Sequence, residues 1–241
     1  MTVGILGAGA FGTSLSIALS TPNKKLILWT QNHGTVKSIQ EVRENRLRLP
    51  GYILPEQIIA TNDIAEIKDC SIVLIAVPMQ QLRSLVEMHG SILKGKILVA
   101  CCKGFEVSSG LGPTSILEIA SEKTAVLTGP SFASDLASGF PTALTIASKV
   151  EGLAKYIQKE LGTEILRLYW SNDPIGAELG GALKNVIAIG CGVTIGAGYG
   201  SSSRAALMTR GYSEIVNIAP YFGAKPETLF GLSGLGDLSL T

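Results

Sequence analysis

The chain has 241 residues, 46% of them hydrophobic, enough apolar material for one large domain or two ordinary ones without covalent staples. Its 20 basic and 19 acidic side chains leave a formal charge of +1 and are interspersed, which excludes a polybasic nucleic-acid footprint and an acidic disordered tail. Cys70, Cys101, Cys102 and Cys191 lie in apolar stretches, with no C-x-x-C pair and no histidine at ligand spacing, so they read as reduced cytoplasmic thiols and not as a metal site.

The sequence opens directly on an apolar strand pattern, without the basic start and cleavage site of a secretory leader. TVGILG (2–7) ends in glycine, and FGTSLSIALS sets Phe11, Leu15, Ala18 and Leu19 at helical spacing. Within this strand, turn and helix, Gly7, Gly9 and Gly12 form G-x-G-x-x-G. The first permits a tight turn, the second lets backbone approach a pyrophosphate, and the third lets helix and strand touch, while the helix start at Ala10 and Phe11 offers unpaired N–H groups.

KLILWT (25–30) is a second buried strand. Where an NAD-specific fold places Asp or Glu for the ribose 2′-hydroxyl, this strand runs into Thr30, Gln31, Asn32 and His33. That neutral pocket predicts NADPH, or either of NADPH and NADH, with Gln31 at the ribose; His33 alone reads as a solvated loop residue. The alternation continues with strands in 70–77, 96–102, 124–129, 142–148 and 164–170, and helices in 79–93, 114–122 and 151–161. Apolar strands alternating with helices predict a Rossmann-like α/β domain with a largely parallel sheet covered on both faces.

After Trp170 the texture changes. Asp173 reads as an N-cap and Pro174 as the first residue of a long helix rich in small residues, with no convincing strand afterwards. The boundary is placed near Ser171, giving a dinucleotide-binding domain over 1–170 and an all-α domain over 171–241. Residues 179–200 are long enough to be tested as a membrane span, but their glycines and the central Lys184 favour a buried core helix, so no integral membrane segment is expected. On that helix Gly180 and Ala188 lie one turn either side of Lys184, which predicts a vacancy for a substrate beside the ammonium.

Three further motifs fall where strands end or the helical part turns: CCKGFE with Lys103, LTGPSFASDLASG with Gly129, Ser131 and Ala133, and GLSGLGDL with Asp237. Each alone fits a plainer role, as surface cation, helix cap or turn residue. Together with GAGAFGTSL, NRLRLPGYILP, AVPMQQLR, GGALKNVIAIG and RAALMTRG, in this order, they make the chain resemble the soluble bacterial NAD(P)-dependent glycerol-3-phosphate dehydrogenases.

The resemblance implies reversible reduction of dihydroxyacetone phosphate to sn-glycerol 3-phosphate for phospholipid synthesis, a second domain of the 6-phosphogluconate-dehydrogenase type, and a homodimer. It implies Lys184 as proton donor and acceptor at the C2 oxygen, with Asn185 beside it, and Asp237 orienting substrate and lysine. Lys103, Gly129 and Ser131 would contact substrate, and Phe11, Lys103 and Ala133 would lie along the cofactor.

Ile195, Gly196 and Ser202 depart from the family's usual Asp-Gly and Asn, while Arg204 is kept. The family also continues past GLGDL to a Ser-Arg-Asn segment that grips phosphate, so the helical domain reads as incomplete and residues 1–241 are expected to bind cofactor but turn over slowly. Competing readings are another reductase of this two-domain type, such as a ketopantoate reductase, or a non-catalytic NAD(P) sensor. The sensor would bind NADPH without oxidising it.

Overall fold

A computed structural model describes residues 1–241. In chain order the first part comprises β1 (Thr2–Leu6), α1 (Ala10–Leu19), β2 (Lys25–Trp29), α2 (His33–Val42), a hairpin of β3 (Glu44–Asn45) and β4 (Leu49–Ile53), and β5 (Ile58–Thr61). It continues through β6 (Ile72–Ile75), α3 (Leu82–Leu93), β7 (Ile97–Ala100), α4 (Pro113–Leu117), β8 (Thr124–Thr128), α5 (Ala133–Ala137), β9 (Thr142–Ala147), α6 (Leu153–Leu161) and β10 (Leu166–Ser171). Helices α7 (Pro174–Gly196), α8 (Ser201–Ile218), α9 (Pro226–Leu229) and α10 (Asp237–Leu240) follow, with no strand after β10.

Eight strands form one sheet in the order β10-β9-β8-β7-β6-β1-β2-β5. Neighbours are parallel except β8 and β9, which pair antiparallel with Val126 opposite Ala147. Leu6 stands opposite both Trp29 and Ile75, so the carboxyl ends of β1, β2 and β6 reach one edge together.

The strands read as continuous apolar runs because successive residues serve opposite faces. Val3, Ile5, Leu26, Leu28 and Val99 pack with Leu15 and Leu19 of α1 and Ile157 of α6. Leu6, Ile27, Val73, Ile75 and Leu98 pack on the other side with Leu82 and Val86 of α3 and Ile116 of α4. All seven strands expected from the sequence form. The hairpin and β5 are additions: β4, LPGYI, carries Pro and Gly on a largely exposed strand, and β5 is a four-residue sheet edge. The helix expected over 114–122 is shorter, ending at Leu117.

Asp173 caps α7, its Oδ1 accepting from the Gly176 amide at 2.9 Å, and Pro174 takes the first helical position as expected. The other oxygen accepts from the Lys225 amide at 2.9 Å and the Thr228 hydroxyl at 2.6 Å, so one carboxylate ties the start of α7 to α9. By length and composition α7 could cross a membrane, yet its first half is buried and holds Glu178 and Lys184, while Val186, Ile189 and Val193 are exposed. Leu179, Ile187, Tyr212, Ile215, Leu229 and Leu238 form a third, separate core.

Candidate active site

A cleft of about 910 Å³ opens along the carboxyl edge of the sheet. Its floor is the turn between β1 and α1. Gly7 adopts φ +112°, and a Cβ there would meet the Ala76 carbonyl oxygen at 2.6 Å; a Cβ on Gly12 would lie 2.0 Å from the Gly7 carbonyl oxygen. Both glycines are therefore required by packing. Gly9 differs: a Cβ there would meet nothing within 4 Å, because its Cα faces the open cleft. Gly9 is the N-cap of α1 and offers no side chain, which leaves the first N–H groups of α1 turned towards that space. A bare cradle before a helix start fits a dinucleotide pyrophosphate.

Ala10, Phe11, Gln31 and Lys103, four residues expected at the cofactor, line this cleft. The opposite wall is Gln81, at the N-cap of α3, with Ser84, Leu85, Met88 and His89 of that helix, positions the sequence did not single out although their spacing follows one helix face. His89 stands edge-on to Trp29 at 5.7 Å, and its buried Nε2 has no partner within the protein. His33 begins α2, and its ring meets the Asn62 amide at 2.6 Å. Ala133 opens α5, which packs against α1, and is not among the residues lining the cleft.

At one end of the cleft three charged side chains converge from far apart in sequence. The Lys103 ammonium, which follows β7, donates to Asp237 Oδ2 at 2.5 Å; the Lys184 ammonium on α7 donates to Asp237 Oδ1 at 2.7 Å and to the Thr241 hydroxyl at 2.6 Å. Asp237 is 1% exposed and Lys184 7%. Lys103 keeps 30% of its side chain accessible, so it is the member that faces the cleft. Burial pulls the Lys103 ammonium below its ordinary pKa, while the Asp237 carboxylate opposes that shift and nearby Lys184 adds to it. Two ammoniums on one carboxylate leave this centre cationic.

Glycines on α7 make the approach possible, though not in the expected way. A Cβ on Gly180 would lie 2.4 Å from the Ser233 carbonyl oxygen, so its bare face is filled by the turn leading into Asp237 and is no vacancy for a substrate. A Cβ on Gly181 would stand 3.2 Å from Thr128 Oγ1 and 3.5 Å from Lys103 Cγ, so this glycine lets α7 lie against β8 and the lysine. Thr128 Oγ1 is itself buried without a partner. Asn185 is exposed.

The Gly129 to Ser131 turn follows β8. Gly129 takes φ +144°, Ser131 Oγ donates weakly to the Gly129 carbonyl at 3.4 Å, and Pro130 lies beside Gly236, next to Asp237. Ser131 caps no helix, since α5 starts at Ala133 with Phe132 at its N-cap. Two further residues escaped the sequence reading. Asn45 is fully buried, its amide donating to the Ala8 carbonyl at 3.0 Å and Thr13 Oγ1 at 2.8 Å, which braces the glycine turn. Glu178, 6% exposed, accepts from the Thr114 amide at 2.7 Å, and burial raises its carboxyl to about 7.

Comparison with known proteins gives the chain's family. The N-terminal profile of the NAD-dependent glycerol-3-phosphate dehydrogenases matches residues 2–154, and their C-terminal profile matches 173–241. The glycerol-3-phosphate dehydrogenase [NAD(P)+] of Ruegeria sp. (strain TM1040) is 52% identical over 243 residues, covering all of this chain and 76% of that protein. The crystal structure of the Coxiella burnetii glycerol-3-phosphate dehydrogenase superposes with a TM-score of 0.92 at 34% identity, over 99% of this chain and 74% of that one. A ketopantoate reductase family structure from Ralstonia eutropha, at 19% identity and TM-score 0.66 over 93% of this chain and 76% of that one, shares the fold alone.

Proposed function

The chain belongs to the NAD-dependent glycerol-3-phosphate dehydrogenase family, and from that premise we propose that Lys184, Asp237 and Lys103 form its catalytic centre. The reaction interconverts dihydroxyacetone phosphate and glycerol 3-phosphate with NAD(P). The observation that supports the centre most directly is the pair of lysines on the two oxygens of a buried Asp237, at the end of a cleft floored by a bare glycine turn.

A nicotinamide cofactor held in that cleft would supply the hydride for reduction and take it up in oxidation. Lys184 gives a proton to the C2 oxygen during reduction and takes it back during oxidation, and its positive charge stabilises the developing alkoxide. Asp237 holds both ammoniums in place and keeps them hydrogen-bonded. Lys103, the more accessible cation, meets the substrate where cofactor and substrate adjoin, with the Gly129 to Ser131 turn on the far side. Gly7, Gly9, Ala10, Phe11, Gly12 and Gln31 hold the dinucleotide, with Ala133 carried over on the family pattern.

On this reading residues 1–170 are the dinucleotide-binding domain and 171–241 bring the proton donor to it; the protein works in the cytoplasm as a homodimer, a state light scattering checks. The test is NADPH oxidation, followed at the reduced nicotinamide absorbance, with and without dihydroxyacetone phosphate. Substrate-dependent oxidation supports the proposal. Tight NADPH binding with no turnover on any carbonyl phosphate would favour a sensor instead.

A further inference from the structure

The cofactor cleft contains no Asp or Glu among its lining residues, and only two Lys or Arg side chains. Lys103 is one, already paired with Asp237 at the catalytic end. The other is Arg48, on the hairpin between β3 and β4, lining the same cleft as Thr30, Gln31, Asn32 and Thr35. Sequence order hides this, because Arg48 lies 17 residues beyond Gln31 and across α2.

Arg48's backbone is held while its head is free. Its amide donates to the Asn45 carbonyl at 3.2 Å and side-chain oxygen at 3.3 Å, and buried Asn45 is in turn bonded to the Ala8 carbonyl and Thr13. The hairpin tip is thus pinned to the glycine turn. The nearby carboxylate, Glu44, is engaged by Arg46 at 3.2 Å and by the Gly51 amide at 2.7 Å, and the Arg48 guanidinium makes no ion pair. A rigidly mounted, unpaired guanidinium beside a neutral ribose pocket matches a phosphomonoester, which it can bind with two parallel hydrogen bonds.

We propose that Arg48 reads the 2′-phosphate of NADP(H), giving this chain its cation for that group from the hairpin and not from the end of β2. The inference rests on the cofactor reading above. The NAD form leaves Arg48 facing solvent, whereas the NADP form neutralises it, so Arg48 sets the preference between them.

Isothermal titration of the full chain with NADPH, NADH and 2′,5′-ADP tests this without turnover. Arg48→Gln, at an exposed position, should weaken NADPH and 2′,5′-ADP by about 10- to 100-fold, as expected for loss of a charged hydrogen-bonding pair, and change NADH less than about twofold. Arg48→Lys should recover part of the loss, and the salt dependence of NADPH binding should flatten in Arg48→Gln. Equal weakening of NADPH and NADH would mean a pyrophosphate contact and overturn the proposal, as would unchanged affinity for all three. Absence of dinucleotide binding by the unsubstituted chain would remove the cofactor reading itself.

Discussion

Replacing Lys184 by Met keeps most of the side chain's length and deletes its charge. The ammonium has three partners to lose: Asp237 Oδ1 at 2.7 Å, Thr241 Oγ1 at 2.6 Å and a longer contact to the Asp237 carbonyl at 3.4 Å. From the sequence alone, removing a buried cation should leave stability unchanged or slightly better. The ion pair reverses that sign. Because Lys103 still holds Asp237 at 2.5 Å, the carboxylate is not orphaned, and the loss should stay near that of one charge-assisted hydrogen bond, about 1–3 kcal/mol. Catalysis should suffer far more. A general acid contributes roughly 100- to 10,000-fold and a positioned charge a comparable factor, so kcat should fall by at least about 1,000-fold, or roughly 4 kcal/mol of barrier. NADPH affinity should hold, since Lys184 is not among the residues that line the cleft with the glycine turn and Gln31. The assay is NADPH oxidation by dihydroxyacetone phosphate beside titration of NADPH. A Lys184→Met protein with kcat within a few-fold of the parent would make Lys184 structural and the proposed chemistry wrong.

The two cofactor-loop glycines should separate binding from folding. Gly9→Ala, whose Cβ meets nothing in the protein, should keep its Tm and lose NADPH affinity, whereas Gly12→Ala, whose Cβ falls 2.0 Å from the Gly7 carbonyl, should lose Tm; matching behaviour in calorimetry would refute the assignment of open and packed faces. Glu178 should make stability fall between about pH 4.5 and 7. Its folded carboxyl, at about 7, holds a proton that the unfolded chain has released above 4.5, so folding binds more protons there and rising pH works against it, by about 3 kcal/mol once above 7. Glu178→Gln should therefore raise Tm at pH 8 and converge on the parent below about pH 4.5; a gap independent of pH would count against the buried-acid account.

What could be read from the sequence was local in origin. The glycine turn, the seven core strands and the Asp173-Pro174 helix start each depend on residues within a few positions, and each forms as expected. Lys103, Lys184 and Asp237 could be nominated from their motifs, but not their joint use of one carboxylate, since the bonds span 134 and 53 residues. Gly180 misleads for the same reason: a missing side chain reads as space in the sequence, and in the fold the Ser233 backbone fills it. Neither Arg48 as a cleft residue nor Asn45 as the brace of the glycine turn is legible, because an exposed Pro- and Gly-containing strand gives no alternating pattern to announce the hairpin that delivers them.

The connectivity of the charged centre yields the sharpest contrast among possible substitutions. Lys103 comes from the sheet edge, Lys184 from α7 and Asp237 from α10, so one buried carboxylate both cancels repulsion between two ammoniums and fastens the helical layer to the sheet. Asp237→Asn keeps the shape and removes the charge. Two ammoniums then face each other without a counter-ion, a loss of about 3–5 kcal/mol, more than Lys184→Met should cost although fewer atoms change. The pH dependence separates this from simple misfitting. Asp237 is what opposes desolvation at Lys103, so without it the folded Lys103 pKa drops further below the ordinary 10.5. Between that lowered value and 10.5 the unfolded chain binds the extra proton, and stability rises with pH. The deficit of Asp237→Asn against the parent should thus be greatest at neutral pH and shrink towards pH 10, measured by urea unfolding at fixed salt. A deficit that is constant across that range, or smaller than that of Lys184→Met at pH 7, would show that the carboxylate is not what holds the two lysines together.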